Sequence, residues 1–253
     1  MTAVLAAPAR PSLGRLTAVE LRKTVDTRAG RWLLALIALS AVAMMPVVLY
    51  AAPGGEQSLG QLFAASQIGV SLLLPVLGIM SVTSEWSQRT ALATFTLAPE
   101  RERVLAAKLL AGACLAALFV AAGIAVGFLG RVAGAALGRS SGSWSLPLPL
   151  VGTMLLFAVI MVTLGTAFGM LFMNPPLAIV LYFLLPTLWT TLGEMVPGLR
   201  GPVRWLDANR TLDTLTDPGV TAAEWARIGT SLAVWLLVPL AAGTVRLVRR
   251  EVK

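Results

Sequence analysis

Six stretches of this chain, roughly 17 to 25 residues long, are almost wholly apolar: 32–52, 62–82, 105–129, 149–172, 177–193 and 228–246. A helix needs about 20 such residues to cross the hydrocarbon core of a bilayer. Helix is the form required there, because lipid offers no partner to a free backbone N–H or C=O. The composition forces the same conclusion. Only 13% of the 253 residues are charged and 57% are hydrophobic, about half the charged share of a soluble domain. The whole chain, 1–253, is expected to be one all-α integral membrane domain with six transmembrane helices.

The fourth and fifth blocks are separated by Asn174-Pro175-Pro176. Proline lacks an N–H and disfavours helix in the residue before it, so a tight turn between antiparallel spans is expected. Five or seven spans follow if that turn is misread. With the N-terminus inside, fourteen Lys and Arg residues fall on inner segments and six on outer ones: Arg131, Arg139, Arg200, Arg204, Arg210 and Arg227. That bias places both termini in the cytoplasm of a multi-pass protein of the plasma membrane. The net charge of +8 is accounted for by topology and anionic lipid, and no nucleic-acid partner is expected. The first ten residues carry only Arg10 and lead into no apolar run, which argues against a cleaved signal peptide.

Before the first span, 11–31 predicts an amphipathic helix on the inner leaflet. Ala18, Leu21, Val25 and Ala29 share one face, and Arg22 and Asp26 pair at i,i+4 on another. The segment between spans five and six, 194–227, is expected to be extracellular and partly helical, with Thr221 and Glu224 at capping-box spacing before the last helix.

Much chemistry is excluded by what the chain lacks. It has no histidine, which removes imidazole acid–base catalysis and Ser–His triads. The span cores carry no acid, the usual mark of a proton relay or ion site. No P-loop is written in it: Lys23-Thr24 follows Arg22 where glycine is needed to approach a phosphate. No catalytic site, no metal and no cofactor are expected. The single cysteine, Cys114, reads as a small buried hydrophobe. Gly123/Gly127 and Gly165/Gly169 have the spacing that lets helices approach closely, within one chain or between two. The polar residues most able to line a passage are Gln67, Ser71, Tyr182, Thr187, Thr190 and Thr191; helix–helix hydrogen bonds are the alternative for each.

Between spans two and three lies a charged stretch, 81–110. Ser84 can cap a short helix running from Glu85 to Leu97, with Trp86, Thr90, Ala93 and Leu97 along one side. Pro99 then suits the first turn of the next helix, with Glu100 and Glu102 at its positive end. A cytosolic helix tied so closely to two spans could transmit a push from a soluble partner, or be a capped surface loop.

The order Glu85, Thr90, Leu97, Pro99, Arg103 and Lys108 resembles the cytosolic segment of permease subunits of ABC-2 type transporters. The chain departs from that pattern at Arg89, where the family commonly has glycine. The resemblance implies an export permease that works as a dimer, most simply a homodimer, with two copies of a separate cytosolic ABC ATPase that binds the ATP and Mg. It also implies a cytosolic coupling helix carrying Glu85, Trp86, Arg89, Thr90 and Leu97, with Pro99 and Arg103 following, and a pathway lined by spans two and five. A stand-alone carrier or channel, and a membrane anchor for a soluble ATPase, remain the alternatives.

Overall fold

Each apolar block is helical, and most of the helices run past the block at one or both ends. The computed structural model describes residues 11–51, 57–88, 100–217 and 219–249, and among these there is no strand. In chain order the helices are α1 (Leu13–Asp26), α2 (Arg28–Ala51), α3 (Leu59–Ser66), α4 (Ile68–Ser87), α5 (Arg101–Ala136), α6 (Leu148–Phe172), α7 (Pro175–Met195), α8 (Arg200–Leu206), α9 (Ala208–Asp213), α10 (Ala222–Leu232) and α11 (Val238–Arg249). Six stretches are long and apolar enough to cross a membrane: Arg28–Ala51, Leu59–Ser87, Arg101–Ala136, Leu148–Phe172, Pro175–Met195 and Ala222–Arg249.

Local chemistry sets several of these ends. Asn174 Oδ1 accepts from the Leu177 N–H at 3.1 Å, and Pro175 occupies the first helical position of α7, where its missing N–H costs nothing. The turn is tight enough that Met173 closes α6 at φ 50°, a left-handed conformation rare for a side chain of its size. Thr221 and Glu224 form the expected capping box at the head of α10. A second one, Ser58 with Gln61, starts α3.

Elsewhere the structure corrects the sequence reading. Span two breaks at Gln67, where α3 gives way to α4. Ser84 caps no new helix: it lies inside α4, its hydroxyl donating to the Met80 carbonyl at 2.6 Å, and Glu85, Trp86 and Ser87 continue that helix. A serine that can cap can equally bond back to the carbonyl four residues earlier, and the apolar run before it favours continuation. The segment between spans five and six is shorter than expected, Val196 to Thr221, and holds α8, α9 and single 3-10 turns at Pro197–Leu199 and Thr214–Thr216. Cys114 sits on the exposed side of α5. The final span carries a π segment, Ala233–Leu237, between α10 and α11.

The core is the packing of α4 on α6. Spans two and four are each 61% buried, against 17% for span five, whose Val180, Leu184 and Leu188 face outward. Glycine makes the α4–α6 contact possible. A Cβ at Gly165 would stand 2.0 Å from the Pro75 carbonyl oxygen, and one at Gly78 would stand 2.3 Å from that of Val162. Around this seam Phe63, Leu74, Leu77, Met154 and Val162 form the main apolar cluster, with Ile37 from α2. Both glycine pairs are used within the chain: Gly165 and Gly169 meet α4, while Gly123 and Gly127 meet Gln67 and Phe63. Pro46, Pro75 and Pro186 lie inside α2, α4 and α7.

The head of α5 gathers both ends of the described chain. Arg101 donates to the carbonyls of Leu247 (2.6 Å) and Val248 (3.0 Å) on α11, and Arg103 donates to that of Pro11 (2.9 Å) just before α1. The start of α1 and the end of α11 therefore share one end of the bundle, called here the terminal end.

Candidate functional site

At the terminal end four charged side chains close into a ring. Lys108 Nζ lies 2.7 Å from Glu20 Oε2 and 2.9 Å from Glu85 Oε1. Lys23 Nζ lies 2.7 Å from Glu20 Oε1 and 2.8 Å from Glu85 Oε1. Signs alternate around the ring, so its net charge is zero, and Lys108 spends a further donor on the Ser81 carbonyl at 2.7 Å. The Glu20, Glu85 and Lys108 side chains are 4–7% exposed, and Lys23 is 40% exposed. Isolated, any of the three buried charges would cost several kcal/mol of lost hydration; opposite charges and hydrogen bonds on both sides make their burial tolerable.

Three elements supply the ring: α1 gives Glu20 and Lys23, the last turn of α4 gives Glu85, and the third turn of α5 gives Lys108. The first helix thus carries a second, polar contact face that the amphipathic reading did not include. The face of α1 turned to the bundle carries Thr17 and Glu20, while Ala18, Val25 and Ala29 are exposed and Leu21 is half-buried. Charge pairing at Glu20 and Lys23 and the packing of Leu21 on the main apolar cluster together fix this helix on the bundle. Arg22 and Asp26 do pair, at 3.4 Å and well exposed. For Lys23, burial opposes the charge. Hydrogen bonds to Glu20 and Glu85, and the charges of the two carboxylates, outweigh it and hold the ammonium above the ordinary lysine range.

The other residues expected in the coupling segment lie as follows. Trp86 packs half-buried with Val82, Leu105, Met170 and Leu247, where α4, α5, α6 and α11 meet. Arg103 pairs with Glu100 at 3.2 Å beside its bond to Pro11. Arg89, Thr90, Leu97 and Pro99 lie outside the described residues.

The candidate passage residues divide into two groups. Ser71, Tyr182 and Thr187 line a groove of about 250 Å³ walled by Phe157, Met161, Phe168, Asn209, Asp213 and Trp235, among others. Its surface is mostly aromatic and aliphatic: Tyr182 stands edge-on to Phe168 at 5.5 Å and to Phe183 at 4.9 Å. Thr190 is joined to this region by Asn209 Nδ2 at 3.4 Å. Thr187, Thr190 and Thr191 all donate to carbonyls four residues earlier on α7, and Ser71 to one three residues earlier. Those hydroxyl protons serve their own helix.

Gln67 is not part of this groove. It is buried at the α3–α4 break, donating to Ser66 Oγ at 3.0 Å, and a Cβ on Gly123 would stand 1.8 Å from its Nε2. Ser66 in turn donates to the carbonyls of Phe63 and Gly123. The contact with α5 is thus made by the Ser66 hydroxyl, with Gln67 packed over Gly123.

Sequence reasoning did not single out Glu20, Lys23, Asn209, Asp213 or Trp235 for these sites. Trp235 donates from Nε1 to the Leu206 carbonyl at 2.6 Å, and the π segment that contains it turns its ring toward α7. An isolated Trp in the middle of an apolar block was the available signal. Among the described residues no cluster of three or more His, Cys, Asp or Glu side chains could hold a metal ion.

Compared with known proteins, the chain matches no family model and no curated sequence.

Proposed function

We propose that this chain is the membrane-spanning permease subunit of an ATP-driven exporter of the ABC-2 type. It would form the translocation pathway as a homodimer and be driven by two copies of a separate cytosolic ATPase. The observation that carries this reading is the ion-pair ring. Residues 89–99 join Glu85 to the head of α5, so any load on that loop reaches Glu85 and Lys108 first. Through Glu20 and Lys23 it also reaches α1, which makes the loop and the first helix one lever attached to spans two and three. A partner that closes on ATP needs such a rigid attachment to bias a two-state bundle.

In this reading the terminal end faces the cytoplasm, both termini included, and the membrane is the plasma membrane. The stretch 85–97 seats on the ATPase, with α1 beside it. The groove at Ser71, Tyr182 and Thr187 is the part of the pathway contributed by one subunit, open toward the weakly buried face of span five that would meet the second copy. Its aromatic wall suits an apolar or amphipathic cargo, which it would select by shape. The ATP and Mg belong to the partner, and this chain supplies no catalytic residue.

The test is co-expression with a candidate ABC ATPase and extraction in mild detergent. A two-plus-two assembly is expected, with ATP turnover that falls when residues 89–97 are replaced by a flexible linker. Purification without an ATPase, together with transport by this chain alone in liposomes, would overturn the proposal in favour of a carrier or channel. An assembly that hydrolyses ATP and moves nothing would make the chain an anchor.

A further inference from the structure

Opposite the terminal end, where α7 finishes and α10 begins, α8, α9 and α10 enclose an open cavity of about 530 Å³. Four arginines line it, Arg200, Arg204, Arg210 and Arg227, together with Glu194 and Glu224. The balance of charge around the cavity is +2. The other two arginines of the outer segments, Arg131 and Arg139, are occupied. Arg131 donates to the carbonyls of Ser140 (2.8 Å) and Gly142 and lies 4.3 Å from the centre of the Trp144 ring; Arg139 lies 4.0 Å from that of Tyr50.

The cavity arginines differ. Arg210 is engaged, bridging Glu194 and Asp207. Among the described residues, Arg200, Arg204 and Arg227 have no carboxylate oxygen within 4 Å. The Arg227 Nε is buried with no hydrogen-bond partner, and its guanidinium lies 6.0 Å from the centre of the Trp205 ring. Both lining carboxylates are committed elsewhere: Glu194 to Arg210, and Glu224 to the Thr221 N–H and hydroxyl, each at 2.7 Å.

Arg227 feels the Glu224 carboxylate without reaching it, and Arg200 and Arg204 lack even that, so like charges face one cavity with no direct ion pair among the three. They line the same space and leave donors unspent, the buried Arg227 Nε among them, which is the chemistry an oxyanion with several acceptor oxygens satisfies. We infer that this cavity binds a phosphate ester, with Arg200, Arg204 and Arg227 as its ligands and Arg210 as the fixed wall. A phosphate presents more acceptor oxygens than a carboxylate, and the space exceeds what a bare ion needs, leaving room for the group it esterifies. The phosphate could arrive on a lipid headgroup or on a soluble molecule. The site requires no ATPase partner and stands apart from the transport reading.

The test uses the purified full-length chain in detergent, with Trp fluorescence and thermal shift as readouts and three probes: dihexanoyl phosphatidic acid, glycerol 3-phosphate and inorganic phosphate. Saturable binding of at least one is expected. Arg204→Gln and Arg200→Gln, both at exposed positions, are each expected to weaken it about tenfold. Arg139→Gln, outside the cavity, should leave it unchanged. Binding of the lipid alone identifies a headgroup site, whereas binding of glycerol 3-phosphate or inorganic phosphate identifies a soluble ligand. The inference is overturned if no probe binds, if dihexanoyl phosphatidic acid is matched by an uncharged diacylglycerol, or if two well-folded arginine variants bind as the parent does.

Discussion

Lys108 on span three reaches back 88 positions to place its ammonium 2.7 Å from the Glu20 carboxylate of the N-terminal helix, and both side chains are buried. The pair ties α1 to span three where Leu21 also packs on the main apolar cluster. Removing one member leaves each neighbour with one opposite charge instead of two and unbalances the buried ring, a loss bounded by the cost of breaking an isolated buried pair, about 3–5 kcal/mol.

Glu20→Gln and Lys108→Gln should therefore each lower the unfolding temperature of the detergent-solubilised protein markedly. The double variant should lose less than the two single losses combined. Additivity within about 0.5 kcal/mol in a double-mutant cycle would mean that the two groups do not interact as the geometry requires.

Arg103 stands differently. It is 36% exposed, and it ties Glu100 and the Pro11 carbonyl at the rim. Arg103→Ala should change stability by less than about 1 kcal/mol, yet reduce transport per ATP hydrolysed in the reconstituted complex. Glu85→Gln should reduce both coupling and stability. Wild-type coupling ratios in both variants would remove the basis for treating this end as a lever.

Gly165→Ala tests the seam between α4 and α6. Its Cβ would meet the Pro75 backbone, which cannot rotate away, so the helices must separate at a cost of about 1–3 kcal/mol. Gly152→Ala, on the same helix with open space around it, should be neutral or slightly stabilising. Equal melting temperatures for the two variants would show that the helices do not pack this closely.

The ring also makes a prediction about pH. Lys23 has a folded-state pKa raised above its ordinary 10.5, so the fold favours its charged form. That contribution is fully present below the unfolded value and is lost as pH rises through the folded one. With no histidine in the chain, the melting temperature should stay flat from about pH 6 to 9 and fall only in the lysine range. Lys23→Gln should lessen the alkaline fall. A step near neutral pH would point to a titrating group that the ring does not contain.

Much of the architecture is legible from one-dimensional patterns, because a span is a local property. Twenty apolar residues specify a helix whatever surrounds them, and Asn174-Pro175 and Thr221/Glu224 mark helix starts through bonds three residues long. The misreadings share a cause: the partner that decides the matter is far away in sequence. Glu20 carries no mark in the sequence until Lys108 and Glu85 are beside it. Gln67 reads as a polar lining residue, and its packing over Gly123 beside Ser66 shows only in the fold. Ser84 has a capping residue's chemistry in a helix that does not end there. The cavity at Arg200, Arg204 and Arg227 was visible only as scattered positive charge, because its walls come from α7, α8, α9 and α10.

The ring has a consequence for how the protein is made. Synthesis delivers Glu20 and Lys23 first, then Glu85, and Lys108 last. A nascent chain that has released only its first two spans therefore holds two carboxylates against one ammonium, an imbalance the hydrocarbon edge penalises. Emergence of Lys108 cancels it and clasps the third span to the first helix. Completion of the ring thus records, in electrostatic form, that the amino-terminal half has been threaded in the correct order.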